Sequence, residues 1–252
     1  MLTSLMPIGD DNSERIITPY VTYILIAINV AVFVFLQLPS DAFTYAFSVI
    51  PREIIQNRDI VETLRVGDGA IQLGPGPQPI QLTILSAMFM HGGWGHLGGN
   101  LLYLWIFGDN VEHRFGAAPF LLFYLGSGIA ATVAQVALDP AGLVPNLGAS
   151  GAISGVLGAY LVLFPRNRVH VFALFVVVSL PAVLVLGLWI ATQYLSGFGA
   201  IAATDETGGI AYGAHVGGFV AGALLAFAAR ALGLGERRSA LSPAMARDSP
   251  TR

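Results

Sequence analysis

The chain has 252 residues, of which 55% are hydrophobic and only 11% are charged. Soluble domains carry about 25% charged residues, so this composition excludes an ordinary soluble protein and predicts one embedded in a lipid bilayer. The formal net charge of −3 provides no basic surface for nucleic acid, and the absence of cysteine excludes disulfides, thiolate metal sites and a cysteine nucleophile.

Six apolar segments are candidates for membrane-spanning helices, which need about 20 mostly apolar residues. Pro19 opens the first, which suits a first helical turn. Pro165 ends the short fourth segment, and Pro181 lies in the fifth, which is therefore either kinked or begins near that proline. In chain order the helices are predicted at residues 19–38, 93–111, 117–138, 150–164, within 169–195, and 209–232. We therefore expect an all-α membrane protein with a six-transmembrane-helix bundle in one domain, residues 19–232.

Polar segments flank and interrupt these helices. Residues 1–18 contain acidic side chains and lack a basic region, so we expect a retained cytoplasmic segment and no cleavable signal peptide. Residues 39–92 form a long first loop, which we expect to lie on the membrane surface and in part to dip into it. Residues 233–252 are polar, and we expect a disordered cytoplasmic tail.

Arginine positions predict the orientation, because loops on the cytoplasmic side of a membrane protein are enriched in positive charge. With both termini cytoplasmic, the outer side holds arginines only in the long first loop, and the two short outer loops hold none. The inner side then holds Arg15, Arg114, Arg166, Arg168 and every arginine from Arg230 onward. We expect a multi-pass protein of a bacterial plasma membrane, because the plan is compact and shows no organelle-targeting extension.

Four polar side chains lie within the predicted helices: His96, Asn100, Ser150 and His215. Polar and ionisable groups inside a membrane are unfavourable, and they usually mark a functional site. With this orientation the second, fourth and sixth helices all begin on the outer side, and each of the four groups lies near the start of its helix. The sequence therefore places them at one membrane depth, open to the outside.

Small residues accompany two of these side chains. On the fourth helix Ser150 shares a stripe with Gly158, and on the sixth helix His215 shares a stripe with Gly218 and Gly222. Because small residues let membrane helices approach closely, the serine oxygen and the imidazole are expected within hydrogen-bond reach. That contact would let a neutral histidine remove the serine proton.

Acyl transfer by a serine also requires donors for the developing oxyanion. His96 and Asn100 lie four residues apart on one face of the second helix and offer ring and amide N–H groups. The first backbone N–H groups of the fourth helix are further candidates, since they have no partner within the helix. The outer half of each predicted helix lacks Asp and Glu, so the sequence predicts a Ser150–His215 dyad with no buried carboxylate.

Each residue also has a purely structural interpretation. Ser150 could cap the fourth helix, His215 could be an interior hydrogen-bonding group, and His96 with Asn100 could hold helices together. His91 is expected to stabilise the first loop. A metal site built from the three histidines is disfavoured, because there is no HExxH motif and no carboxylate at that depth. We therefore expect neither a metal nor a cofactor.

Four motifs, in order between residues 83 and 229, together resemble the rhomboid family of intramembrane serine proteases. The nucleophile motif GxSG alone would be weak, but the set is specific because each motif lies on the expected helix. The motifs are His91 to His96 followed by Asn100, Gly148-Ala149-Ser150-Gly151, Ala214-His215 with Gly218 and Gly222, and the ExRxG element from Glu112 to Gly116.

The resemblance implies proteolysis of single-span transmembrane proteins near the outer membrane face. It implies Ser150 as nucleophile, His215 as general base, His96 and Asn100 as oxyanion donors, and helix five with the following loop as a gate. The partners it implies are such substrates and the lipid bilayer, with no nucleic acid; the oligomeric state stays open. Where some relatives have a tyrosine that stacks on the catalytic histidine, this chain has Ser154. What orients His215 is therefore left open by the sequence.

The chain departs from some relatives at a second place, where Leu82 and Thr83 replace a Trp-Arg pair of the first loop. Glu112 and Arg114 are expected to form a structural ion pair or hydrogen-bond network at the cytoplasmic end of helix two. Two other functions compete with proteolysis: an inactive relative that binds transmembrane helices, and a small transporter. The retained Ser150 and His215 disfavour the first, and the lack of a broken-helix inverted repeat disfavours the second.

Overall fold

The computed structural model describes residues 6–13, 15–66, 69–173, 175–203 and 211–233, and this part of the chain is mostly helical. Of the expected C-terminal tail, residues 234–252 lie outside the described residues, as do residues 204–208 of the short outer loop predicted at 196–208. Residues 196–203 of that predicted loop are helical instead. In chain order the elements are β1 (Met6–Asp10), α1 (Tyr20–Val32, continued by π-helical Phe33–Gln37), α2 (Asp41–Ala46), α3 (Pro51–Gln56), β2 (Thr63–Val66), β3 (Gly69–Gln72), α4 (Thr83–Ser86, between 3-10 turns Ile80–Leu82 and Ala87–Phe89), α5 (Trp94–Phe115), α6 (Ala117–Leu138), α7 (Ser150–Leu163), β4 (Arg168–Ala173), β5 (Val176–Pro181), α8 (Ala182–Ala203) and α9 (Tyr212–Ala231).

Three of the described helices are long and apolar enough to cross a membrane: residues 20–37, α6 and α9. The third predicted segment coincides with α6 at both ends, whereas α5 continues one turn past the predicted end at Val111. This extra turn is helical because its glutamate, Glu112, is buried against α1 and does not lie in a loop. The charged last turn also explains why α5 is less apolar than the three spanning candidates.

A three-stranded antiparallel sheet, in the order β1-β4-β5, was absent from the sequence prediction. Its hairpin occupies the first part of the segment assigned to helix five, and α8 begins directly after Pro181. Of the two alternatives for that proline, the structure therefore has a helix that begins beside it. The strands are rich in β-branched valine, and Val169 and Val171 of β4 point into the core with no exposed surface.

The first loop folds into short helices and the β2–β3 hairpin around a small apolar cluster of Ile50, Ile60 and Leu73. It is tied to the segment that leads into α7. Val49 and Asn146 exchange both backbone hydrogen bonds, at 2.9 and 2.8 Å. The N–H of Gly148 donates to the carbonyl of Ala87 at 2.9 Å. The loop therefore braces the chain two residues before Ser150.

Helices α7 and α9 touch along their backbones, as their glycine stripes predicted. A Cβ placed on Gly218 would lie 2.1 Å from the carbonyl oxygen of Gly151. A Cβ on Gly222 would lie 2.0 Å from the Gly155 oxygen, and one on Gly158 would lie 2.1 Å from a carbonyl of α9. No side chain larger than hydrogen fits at such distances, so the prediction of close packing is confirmed. We call this α7–α9 contact the glycine seam.

A hydrogen-bond network joins the C-terminal end of α5 to the N-terminal end of α1. The Glu112 carboxylate accepts from the N–H of Val21 at 3.0 Å, and from the N–H and hydroxyl of Thr22 at 2.7 and 2.8 Å. A carboxylate at a helix N-terminus satisfies unpaired N–H groups and complements the helix dipole. The expected structural hydrogen-bond network is therefore present at Glu112, where it caps α1.

The N-terminal strand joins the same end of the molecule through Asp10. Its carboxylate accepts from the Tyr160 hydroxyl at 2.6 Å and from the Asn110 amide at 2.7 Å. Burial raises the pKa of Asp10 to about 6, although both hydrogen bonds favour the ionised form. Arg15 forms an ion pair with Asp109 nearby. Strand β1 is therefore joined to α5 and α7 by side chains as well as to β4 by its backbone.

Candidate active site

The glycine seam brings Ser150 and His215 into contact. Ser150 is the first residue of α7 and His215 the fourth of α9, and the serine Oγ lies 2.8 Å from the histidine Nε2. This distance suits direct proton transfer between a hydroxyl and an imidazole. Ala149, not Ser150, occupies the N-cap position of α7, so the capping interpretation does not describe the hydroxyl.

The other ring nitrogen of His215, Nδ1, lies 2.7 Å from the side-chain oxygen of Gln193 on α8. Two aromatic rings flank the imidazole: Trp189 of α8, with ring centroids 6.0 Å apart, and Tyr212 of α9, at 6.5 Å and nearly perpendicular. Ser154, at the position where some relatives carry a stacking tyrosine, donates to the carbonyl of Ser150 at 2.6 Å. Apart from Ser150, the described contacts on the His215 ring thus come from α8 and α9 and not from position 154.

His96 lies beside the nucleophile. Its Nδ1 accepts the N–H of Gly92 at 3.2 Å, which leaves Nε2 to carry the ring proton. A Cβ placed on Gly148 would lie 3.0 Å from the His96 Nε2 and 3.4 Å from the Ser150 Oγ, so both atoms face the same point. Gly148 has φ +136°, a conformation that other residues rarely adopt. Glycine at this position therefore allows both side chains to converge.

Asn100 lies one turn further along α5 and is 7% exposed. Its amide donates to the carbonyl of His96 at 3.1 Å, within its own helix. The shared face with His96 is thus observed, while the role of Asn100 as an oxyanion donor stays a prediction.

His91 ends the first loop and is 2% exposed. Its backbone N–H donates to the Gln37 side chain at 2.8 Å, and its carbonyl accepts from the same side chain at 3.1 Å. Its ring contacts that of His96 edge-on, with centroids 5.3 Å apart. The backbone contacts fix the end of the first loop to α1, in agreement with the structural role expected for His91.

A small cavity adjoins Ser150 between α6, α7 and α9. Its volume is about 40 Å³, and its polar lining includes Thr132, Gln135 and Asn146. One water molecule needs about 10–15 Å³ of such volume, so the cavity has room for two or three. Gln135 also accepts the backbone N–H of Ala214 at 3.2 Å, next to His215. The site therefore has space for water beside the nucleophile.

The sequence analysis missed Gln193, Trp189 and Tyr212. A signal for Gln193 was present, because an amide in an otherwise apolar helix is unfavourable in lipid without a partner. Gln193 is neither ionisable nor part of any of the four motifs, so neither property marks it in the sequence. Within the described ranges, no group of three His, Asp or Glu side chains is arranged to hold a metal ion.

The family model for the rhomboid domain matches residues 80–231, which include α5 to α9 with Ser150, His215, His96, Asn100 and Gln193. This match covers more than half of the chain, and the chain belongs to the rhomboid family. It is therefore an integral membrane protein.

Two curated relatives extend the match toward the N-terminus. The chain is 31% identical over 206 residues to rhomboid protein 1, mitochondrial, of Saccharomyces cerevisiae, covering 80% of this chain and 51% of the relative. It is 32% identical over 217 residues to rhomboid protease GluP of Bacillus subtilis, covering 86% of this chain and 35% of the relative. The chain spans about half or less of the length of these relatives.

Proposed function

We propose that this protein is an intramembrane serine endopeptidase that cleaves transmembrane protein substrates with a Ser150–His215 dyad. The observation that carries the proposal is the 2.8 Å contact between the Ser150 Oγ and the His215 Nε2. Family membership and the name of the relative GluP as a rhomboid protease support the same reaction.

In the first half of the reaction, the Ser150 Oγ attacks the carbonyl carbon of the scissile peptide bond. Its proton passes to the His215 Nε2, and the carbonyl oxygen becomes an oxyanion. The C–N bond then breaks as His215 returns the proton to the leaving nitrogen, which gives an acyl-enzyme and a free amine.

The oxyanion requires donors that are already in place. The His96 Nε2–H is the side-chain candidate, because it faces the same point as the Ser150 Oγ. The N–H of Ser150 is a backbone candidate, since the first four N–H groups of a helix have no partner within it. The Asn100 amide has a second N–H besides the one that is bonded to the His96 carbonyl, and this N–H is a further side-chain candidate.

The second half of the reaction requires water. A molecule held in the cavity beside Ser150 gives a proton to His215 and attacks the acyl carbon, and the Ser150 hydroxyl is then restored by His215. The cavity lining of Thr132, Gln135 and Asn146 offers the polar partners that a buried water needs.

We propose that six helices cross the membrane, namely α1 and α5 to α9. Helix α7 has 14 residues and is about 21 Å long, shorter than a hydrocarbon core of about 30 Å. If its C-terminal end lies at the inner surface, Ser150 lies below the outer surface. The arginine distribution supports an outward-facing site and cytoplasmic termini. We also propose a bacterial plasma membrane as the location and single-span proteins as the substrates.

The test uses purified protein in lipid vesicles with a single-span model substrate and a fluorophosphonate probe for reactive serines. We expect wild type to cut the substrate and take up the probe, and Ser150→Ala and His215→Ala to do neither. Ser154→Ala is the matched control, because Ser154 is a second serine on α7 that bonds only its own helix. This variant is expected to remain active.

Cleavage that survives both Ser150→Ala and His215→Ala would exclude the dyad. Wild-type protein that binds the transmembrane substrate but neither cuts it nor reacts with the probe would instead support the binding function of an inactive relative. The probe separates this outcome from a poor choice of substrate, since it reports the serine alone.

A further inference from the structure

The dyad has no described carboxylate partner, yet the Nδ1 of His215 is bonded to Gln193. We propose that Gln193 is a positioning residue, which sets the tautomer and orientation of His215 so that Nε2 can accept the Ser150 proton. The proposal rests on the dyad mechanism above and extends it to helix α8.

A neutral histidine carries one N–H, on either Nδ1 or Nε2. The Gln193 oxygen, 2.7 Å from Nδ1, accepts a hydrogen bond and therefore favours the tautomer with the proton on Nδ1. In that tautomer Nε2 has a free lone pair, 2.8 Å from the Ser150 Oγ. The opposite tautomer would present an N–H to the serine and could not remove its proton.

An amide suits this position because it is uncharged. An ionised carboxylate in a membrane interior loses its hydration and destabilises the protein unless it is fully paired. The amide oxygen accepts the same hydrogen bond without that penalty. Gln193 thereby replaces the aspartate that orients histidine in soluble serine proteases.

Helix α8 determines where the Gln193 oxygen lies. Leu186, Trp189 and Gln193 are spaced by three and four residues and form one stripe facing α9, with Leu186 fully buried and Trp189 against both His215 and Phe219. The neighbouring Tyr194 points away and is 60% exposed. Gln193 therefore reaches His215 only while this stripe is packed against α9.

The two hydrogen bonds of the His215 ring therefore depend on different pairs of helices. Ser150 and His215 are fixed to each other by the glycine seam, whereas the partner of Nδ1 belongs to a helix outside the seam. A displacement of α8 by about 1 Å would break the Gln193 bond while leaving the dyad contact in place. Base activity is then coupled to the packing of α8.

The test compares Gln193→Met, Gln193→Glu and Thr192→Val. Methionine keeps the length of the side chain but removes the acceptor, and glutamate keeps an acceptor that cannot donate when ionised. Thr192 is the matched control on α8, because its hydroxyl donates to the Trp189 carbonyl of its own helix. Rates of substrate cleavage and of fluorophosphonate labelling are measured with the thermal midpoint of each variant.

We expect kcat and the labelling rate of Gln193→Met to fall by about 10- to 100-fold, the effect of losing one orienting hydrogen bond in a low-dielectric site. KM and the thermal midpoint should stay near wild type. Gln193→Glu should recover most of the lost rate, and Thr192→Val should match wild type. In ¹⁵N spectra of the His215 ring, assigned by their loss in His215→Ala, wild type should show the proton on Nδ1 and Gln193→Met a mixture.

The outcomes separate the two proposals. If wild type is labelled and Ser150→Ala is not, the dyad stands, and wild-type kcat in Gln193→Met then overturns the positioning role alone. Gln193→Glu as slow as Gln193→Met would also overturn it, because an acceptor would not be the requirement. If Gln193→Met fails to fold, the cleavage rate of Gln193→Glu relative to wild type, together with its ¹⁵N spectrum, still decides. Wild type that is not labelled would overturn both proposals.

Discussion

The glycine seam predicts that a larger side chain at Gly218, one turn after His215 on α9, pushes α7 and α9 apart. In Gly218→Ala the new Cβ would lie 2.1 Å from the Gly151 carbonyl oxygen and 3.0 Å from the carbonyl carbon. Carbon and oxygen atoms that are not bonded stay more than about 3 Å apart, so α7 and α9 must separate by about 1 Å. Gly151 follows Ser150 directly, so the separation acts where the two catalytic residues meet.

The substitution is expected to lower the cleavage rate while the protein remains folded. Overpacking of this kind destabilises a protein by about 1–3 kcal/mol. A displacement of about 1 Å in a reacting group can reduce a rate by about 100-fold. It would lengthen the 2.8 Å contact between the Ser150 Oγ and the His215 Nε2 beyond hydrogen-bond distance. We therefore expect Gly218→Ala to remain folded in detergent and to lose about 100-fold in cleavage rate.

The assay is substrate cleavage in lipid vesicles at matched protein concentration, with the thermal midpoint measured in parallel. Gly126→Ala on α6 is the matched control, because a Cβ there meets nothing within 4 Å. It should cleave at the wild-type rate. If Gly218→Ala cleaves the substrate at the wild-type rate, the reasoning is refuted. That result would mean that the glycine seam does not hold Ser150 and His215 at contact distance.

Two further predictions concern the opposite end of the helices. Burial raises the pKa of Asp10 from 3.8 to about 6, so its ionised form is disfavoured in the folded state. Its contribution to stability is full below about pH 4 and is lost as the pH rises through about 6. The wild-type free energy of unfolding should therefore fall by about 1–3 kcal/mol between pH 4 and 7, and Asp10→Asn should remove this pH dependence. An unchanged pH dependence would contradict this assignment. Glu112→Gln replaces an acceptor oxygen that faces the N–H groups of Val21 and Thr22 with a donor, and should lower the free energy of unfolding by about 2–4 kcal/mol. The folded fraction should cleave at the wild-type rate, and Glu62→Gln, at an exposed position, should leave the midpoint unchanged; an equal effect of both substitutions would exclude the capping role.

The helices and the seam could be predicted because their signals are local. Apolar length marks α6 at both ends, and the spacing of Gly218 and Gly222 marks the packed face of α9. The sheet could not be predicted in the same way. Strand β4 pairs with β1, more than 150 residues away, and its valine-rich hairpin has the same apolar composition as a helix. Only the pairing of distant segments distinguishes the two structures.

The residues of the candidate site also differ in whether the sequence alone can identify them. Ser150 and His215 are polar groups at predicted helix starts, so depth and topology alone bring them to one region. Gln193 differs because its importance depends on the rotation of α8 about its axis, which places it 2.7 Å from the His215 Nδ1. That rotation follows from the packing of Leu186 and Trp189, and it cannot be read from the composition of the helix.

The glycine seam also limits how this protein can diverge. Where two backbones touch, as at Gly218 and Gly151, there are no side chains whose exchange could adjust the geometry. Mutation can therefore neither tune the distance between nucleophile and base nor adapt this part of the molecule to a new target sequence. Under the proposed function, variation in substrate choice is then expected on surfaces that carry side chains. Backbone contacts thus set the separation of the proposed catalytic pair, and any adjustment of substrate recognition falls to side chains elsewhere in the molecule.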